Sequence, residues 1–101
     1  MFTDETKEIF YITQEECAEV TQALSKVLRF GLDSKNPVTS KTNKESLEEE
    51  LGDLLGMIDL IIQRCLVSDN NVNYSRQQKK TKLQKWSNIN FKTSENESHT
   101  L

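Results

Sequence analysis

Apolar residues in the first third of the chain return every three or four positions: Ile9, Ile12, Val20, Ala23, Leu24 and Val27. That spacing follows the turn of an α-helix and puts these side chains on one stripe. It predicts a helix over 4–30, stopped by Gly31. Thr13 with Glu16 also has the form of a capping box, which would start a new helix there. Continuity is preferred, because Glu5, Lys7 and Glu8 are good helix formers. Residues 31–43 are polar, hold the only proline, and read as a loop long enough to serve as a substrate lid. A second stripe, Leu47, Leu51, Leu54, Ile58, Ile61 and Cys65, widened by Leu55 and Ile62, predicts a helix over 44–66 with Asn43 as its cap. Residues 68–71 read as a turn. A basic helix with thin apolar content (Val72, Leu83, Trp86) is predicted over 72–87, and 88–101 as a polar, disordered tail. The predicted fold is therefore all-α, an antiparallel bundle of about three helices over 1–87.

Within this pattern some polar positions fall where apolar ones belong. At about 100° per residue, Glu16 lies near the middle of the first stripe and Glu19 on its flank. Glu50 and Asp53 lie together on one flank of the second stripe, whereas Glu48 and Glu49 point elsewhere and read as solvated charge. The two clusters, Glu15-Glu16-Cys17-Ala18-Glu19 and Glu49-Glu50-Leu51-Gly52-Asp53, share the form Glu-Glu-x-x-acid. Residues three apart share a helix face. Packing the two helices would bring Glu16, Glu19, Glu50 and Asp53 into one place, where they repel unless a cation lies between them. A hard divalent ion that prefers oxygen, Mg²⁺ with Mn²⁺ as a substitute, fits such a set. Acids at a helix start also favour the dipole, so Glu48-Glu49-Glu50 alone fits a solvated first turn. Two matching clusters on core-facing helices favour the site. Asp59 lies one face away and reads first as a partner for Arg64 or Gln63, with a role at or behind the metal as the alternative. Gly52 and Gly56 form a small-x-x-x-small pair opposite the stripe, which predicts a close helix contact there.

Composition narrows the classes. The chain has 101 residues with only 35% hydrophobic, so a lone monomer is marginal and an oligomer, dimer or tetramer, is expected. The net charge of -3 argues against nucleic acid as a partner. No apolar run is long enough for a membrane span, and the N-terminus lacks the form of a signal peptide. Cys17 and Cys65 match no metal or redox spacing and read as buried reduced thiols. These features predict a cytoplasmic location. His99 is the only histidine, no nucleophile triad is present, and the absence of a glycine-rich phosphate loop excludes a P-loop enzyme.

The ordered pair of acidic motifs resembles the all-α nucleoside triphosphate pyrophosphohydrolases, which include the MazG-like enzymes and relatives of the dimeric dUTPases. Glu15-Glu16-Cys17-Ala18-Glu19-Val20 with Ser25-Lys26-Val27-Leu28-Arg29-Phe30-Gly31 looks like the short, phage-type MazG branch, and Glu49-Glu50-Leu51-Gly52-Asp53-Leu54-Leu55 like the family's second motif. The likeness covers about residues 8–66. It implies an oligomeric helical bundle that cleaves a (d)NTP between the α and β phosphates to the monophosphate and pyrophosphate. It implies Glu16, Glu19, Glu50 and Asp53 as Mg²⁺ ligands, with Glu15 completing the site or orienting the nucleophile. Base-reading residues of better-known members have no clear counterpart.

Candidate cations to meet the phosphates are Lys26 and Arg29 beyond the first motif, and Lys79, Lys82 and Lys85 on the basic helix, each lysine by itself reading first as solvated charge or a neutraliser of the acidic helices. Phe30 and Trp86 read first as packing residues and second as base stackers. Two alternatives stay open: the same fold acting on an alarmone or dUTP, and a non-catalytic helical interaction module whose basic helix docks a partner.

Overall fold

The computed structural model describes residues 1–91. Among these residues it contains three helices, α1 (Asp4–Phe30), α2 (Asn43–Gln63) and α3 (Asp69–Trp86), and no strand. They fall into two compact units, Met1–Leu66 and a second that begins at Val67. No helix is long and apolar enough to cross a membrane.

The ends of α1 fall where the pattern places them. Thr3 caps the start, its hydroxyl accepting from the Thr6 N–H at 3.1 Å. Gly31 ends the helix with φ 88° and ψ 164°, a backbone region almost closed to other residues, while its N–H donates to Val27 O at 2.8 Å. No break occurs at Thr13. Its hydroxyl donates back to Ile9 O at 2.7 Å, so it serves the ongoing helix instead of capping a new one.

The start of α2 differs from expectation by one residue. Thr42, not Asn43, is the cap: it accepts from the Glu45 N–H, and the Glu45 carboxylate accepts from the Thr42 N–H at 3.0 Å. This reciprocal box satisfies two orphan donors, where an Asn43 cap would satisfy one. Asn43 instead donates its side-chain N–H to Gly31 O at 3.0 Å, tying the start of α2 to the end of α1. The end of α2 comes three residues early. Leu66 N–H donates to Ile61 O and Cys65 N–H to Ile62 O, a Schellman closure with Cys65 in the left-handed position at φ 56°.

α1 and α2 run antiparallel. Asn43 meets Gly31 at one end, and the Arg64 guanidinium pairs with the Glu5 carboxylate at the other. Arg64 is thereby joined to Glu5 and not to Asp59, because the chain turns at 64–66 toward the start of α1. The hairpin's core is thin. Ile9 and Ala23 are buried, Ile12, Val20, Val27, Leu47, Leu54, Ile58 and Ile61 are half-buried, and Leu24, Leu51 and Leu55 of the expected stripes are exposed. Two packed helices cover only a narrow seam, so the flanks of a wide stripe stay open.

Both cysteines are exposed, against the expectation of buried thiols. Cys65 lies beyond the helix in the turn, and Cys17 sits well round from the seam. A Cβ at Gly52 or Gly56 meets nothing within 4 Å, so the close helix contact expected there is not made within the described residues.

In the second unit α3 starts at Asp69, three residues earlier than predicted. Ser68 caps it by accepting from the Asn71 N–H, and Asp69 in the first turn favours the dipole. The predicted tail is partly ordered as far as it is described: Ser87 accepts from the Ile89 N–H, and Lys80 stands 5.9 Å from the Phe91 ring. Its remainder, 92–101, lies outside the described residues.

Two substitutions test this account of the helix ends. Cys65→Gly removes a side chain from a left-handed position and is expected to stabilise the chain by about 1 kcal/mol, a rise of a few degrees in Tm. Gly31→Ala is expected to destabilise it by about 1–3 kcal/mol through backbone strain alone. Thermal unfolding followed by circular dichroism reads both.

Candidate functional site

The hairpin brings together three of the four predicted ligands. Glu16 from α1 and Glu50 and Asp53 from α2 each place one carboxylate oxygen within 4.8 Å of the others. Glu16 sits mid-seam because its position belongs to the apolar stripe. Glu50 holds the corresponding place on α2, between Leu47 and Leu54, and is half-buried with them. Asp53 follows one turn later at the exposed edge. Glu19 is not in the cluster of three, but its charge acts on both Glu16 and Glu50. Glu15 is exposed and acts on Glu16 as its chain neighbour.

The electrostatics follow from this crowding. Desolvation, then the charges of Asp53, Glu19 and Glu15, push the Glu16 carboxyl above its ordinary value. Desolvation and the charges of Glu19, Asp53, Glu16 and Glu49 do the same at Glu50. The Lys41 ammonium interacts with Glu50 through space, but it is bonded to Glu49. One Glu16 oxygen, Oε2, is shielded from solvent and accepts no hydrogen bond. A shielded carboxylate oxygen without a donor is costly. Three converging carboxylates, one with such an orphaned oxygen, fit a hard divalent cation, for which oxygen is the preferred donor.

Elsewhere on the hairpin two ion pairs form, Arg64 with Glu5 and Lys41 with Glu49. The Lys41 ammonium donates to Glu49 Oε2 at 2.6 Å, an exposed pair worth roughly 0–1 kcal/mol. Glu49 thus lies apart from the acidic cluster, as its helical phase predicts. Glu45 is held below its ordinary value, chiefly by the Thr42 backbone and hydroxyl.

Of the predicted phosphate-holding residues, Lys26 lines a cleft of about 280 Å³ between the last turns of α1 and the connecting loop. Arg29 instead lies over the Phe30 ring at 5.2 Å. Phe30 is 63% exposed and Trp86 79% exposed, so neither ring is in a core. Lys79, Lys82 and Lys85 are exposed on α3 in the second unit, with Lys85 5.4 Å from the Trp86 ring.

Sequence reasoning did not single out Lys35, Asn36 or Asn43 as lining that cleft. One signal pointed there: Glu19 and Lys26 are seven residues apart, as are Asn43 and Glu50. Seven residues are two helical turns, so each pair shares a helix face.

Compared with known proteins, the chain matches no family model, no curated protein and no solved structure.

The raised carboxyls make a signed expectation about pH. The folded protein holds protons at Glu16 and Glu50 that the unfolded chain releases, in a window opening at the ordinary value of 4.5 and extending upward. These groups therefore favour folding below the window, and that contribution is lost as pH rises through it. Glu45 runs the other way, its contribution being lost as pH falls through its lowered value. Comparing Glu16→Gln with the unmodified chain cancels Glu45. Without divalent metal, Glu16→Gln is expected to melt a few degrees higher at pH 7, and the gap to close toward pH 4, where Glu16 is itself neutral.

Proposed function

We propose that this chain is a Mg²⁺-dependent nucleoside triphosphate pyrophosphohydrolase. The observation that carries the reading is the convergence of Glu16, Glu50 and Asp53 around a Glu16 oxygen with no hydrogen-bond donor. The two Glu-Glu-x-x-acid motifs that supply these residues resemble those of the MazG-like enzymes, which gives the reaction class.

Glu16, Glu50 and Asp53 hold the ion, with Glu19 as the adjoining fourth acid. When bound, Mg²⁺ neutralises the cluster, polarises phosphate oxygens and lowers the pKa of coordinated water. In the reaction a water oxygen bonds to the α-phosphorus, and the bond from that phosphorus to the bridging oxygen breaks. The bonding electron pair leaves with pyrophosphate, and the water's proton passes to a carboxylate. Glu19 is the acid assigned to accept it, since it stands beside the cluster without belonging to the three. Half-burial of Glu16 and Glu50 fixes their oxygens and restricts water, so little reorganisation accompanies the charge shift.

The active form is a homo-oligomer. Leu24 and Leu28 are one turn apart on α1 and exposed at 44% and 85%; Leu51 and Leu55 are one turn apart on α2 and exposed at 42% and 60%. By helical phase in an antiparallel pair, these four lie on the flank opposite Glu19 and Asp53. A second copy covering them would enlarge the thin core without blocking the acids.

The test is hydrolysis of a nucleotide panel with product analysis. Monophosphate and pyrophosphate are expected in equal amounts with Mg²⁺ and none with EDTA. Asp53→Asn is expected to lower kcat by about 10²-fold or more. Mg²⁺ at a hundred times its Kd is expected to stabilise the unmodified chain by about 2.7 kcal/mol and leave Glu16→Gln unmoved. No turnover on any nucleotide, together with no Mg²⁺-linked rise in Tm, contradicts the reading and favours a non-catalytic helical module.

A further inference from the structure

The cleft at the loop end of the hairpin gathers two lysines with polar loop residues. Lys26 and Phe30 reach it from α1, Lys35 and Asn36 from the loop, and Asn43 from the start of α2. Among the described residues neither Lys26 nor Lys35 makes an ion pair, whereas Lys41 is joined to Glu49 and Arg64 to Glu5. Lys35 acts on Glu45 only through space, and that carboxylate is already engaged by Thr42. Two lysines without an ion pair therefore line one recess.

The recess is built in advance. The Asn36 side chain accepts from the Val38 and Thr39 N–H groups, and the Asn36 N–H donates to Lys41 O at 2.9 Å. Lys35 and Thr42 are bridged through their backbones. Asn43 N–H donates to Ser34 O and Lys44 N–H to Leu32 O, both at 2.9 Å. These bonds tie the loop to itself and to the start of α2, so the segment that reads in sequence as a lid is held at several points. Asn43 spends its side-chain N–H on Gly31 and keeps its carbonyl oxygen.

Size and position identify the occupant. At about 280 Å³ the recess lies just under the roughly 300–1,000 Å³ range of whole-ligand pockets, so it takes one end of a nucleotide and not all of it. Two ammonium groups select the phosphate end. Lys26 stands two turns past Glu19 on the same face, about 10 Å along the axis. Lysine side chains on a helix lean back toward its N-terminus, which here is toward the acids.

We propose that this cleft is the subsite for the β- and γ-phosphates of the substrate, with Lys26 and Lys35 neutralising the pyrophosphate as it leaves. The assignment rests on the hydrolase reading above. When the bond between the α-phosphorus and the bridging oxygen breaks, the electron pair and its charge go onto that oxygen, and the ammonium groups are the cations placed beyond the acids to receive them.

The experiment is calorimetric titration of the full chain with inorganic pyrophosphate in EDTA, beside steady-state hydrolysis with Mg²⁺. Saturable metal-free binding is expected, and inorganic phosphate should bind more weakly. Lys26→Gln and Lys35→Gln are each expected to weaken pyrophosphate by about tenfold, while Lys7→Gln, on the opposite end of α1, leaves it unchanged. Lys35→Gln is also expected to lower kcat and relieve product inhibition by pyrophosphate, with an unaltered Tm showing that the loop is intact. Normal turnover with unchanged pyrophosphate affinity in both lysine variants overturns the subsite and leaves the hydrolase reading standing. Lysine-dependent pyrophosphate binding without turnover of any triphosphate overturns the hydrolase reading, and with it the leaving-group role.

Discussion

Three carboxylates held against one another across a helix pair are the constraint from which the rest of this hairpin follows. Glu16 occupies a seam position that the α1 stripe would otherwise give to an apolar side chain, and Glu50 does the same on α2. Each is kept there at the cost of desolvation and mutual repulsion. Replacing such groups with apolar residues of similar volume would generally stabilise a fold of this kind. The remaining core is too thin to conceal that cost, since only Ile9 and Ala23 are buried in the hairpin. A bound cation reverses the sign of the interaction: the same crowding that destabilises the empty cluster supplies the ligand field.

The hairpin is pinned at its ends more than in its middle. The Thr42–Glu45 box, the Asn43–Gly31 bond and the backbone bridge from Lys35 to Thr42 hold one end, and the Glu5–Arg64 pair with the turn at Cys65 holds the other. Registration of Glu16 against Glu50 therefore depends on polar contacts well away from the acids. In the proposed account the pinned loop has a second consequence. It makes Lys26 and Lys35 line one cleft, so that the anionic and cationic halves of a phosphate site follow from one connection.

Much of this was legible in the sequence. The α1 bounds follow from the apolar period and Gly31, because each signal is local; the Thr3 cap was not singled out. The meeting of Glu16 with Glu50 and Asp53 was legible because helical phase puts Glu16 within the α1 stripe and the other two on one flank of the α2 stripe. The misreadings came where two local signals competed. Asn43 looked like a cap, but Thr42 three residues before Glu45 makes the reciprocal box. Cys65 fits the α2 period, yet the chain leaves the helix at Arg64 by a left-handed residue that is not glycine, which no periodicity reveals. Leu51 and Leu55 match a helix stripe, but a stripe wider than one neighbour can cover does not say which flank stays open. The cleft was hidden for a different reason: loop hydrogen bonds, not spacing, bring Lys35 to Lys26.

The most direct measurement is paramagnetic broadening of backbone amide resonances by trace Mn²⁺ in the folded protein. Loss of signal strongest around residues 16, 50 and 53, falling away toward both ends of the hairpin, and reversal by excess Mg²⁺, is the expected result. Uniform weak broadening over all exposed acids, unchanged by Mg²⁺, would show that the three carboxylates hold no ion and would contradict the central claim.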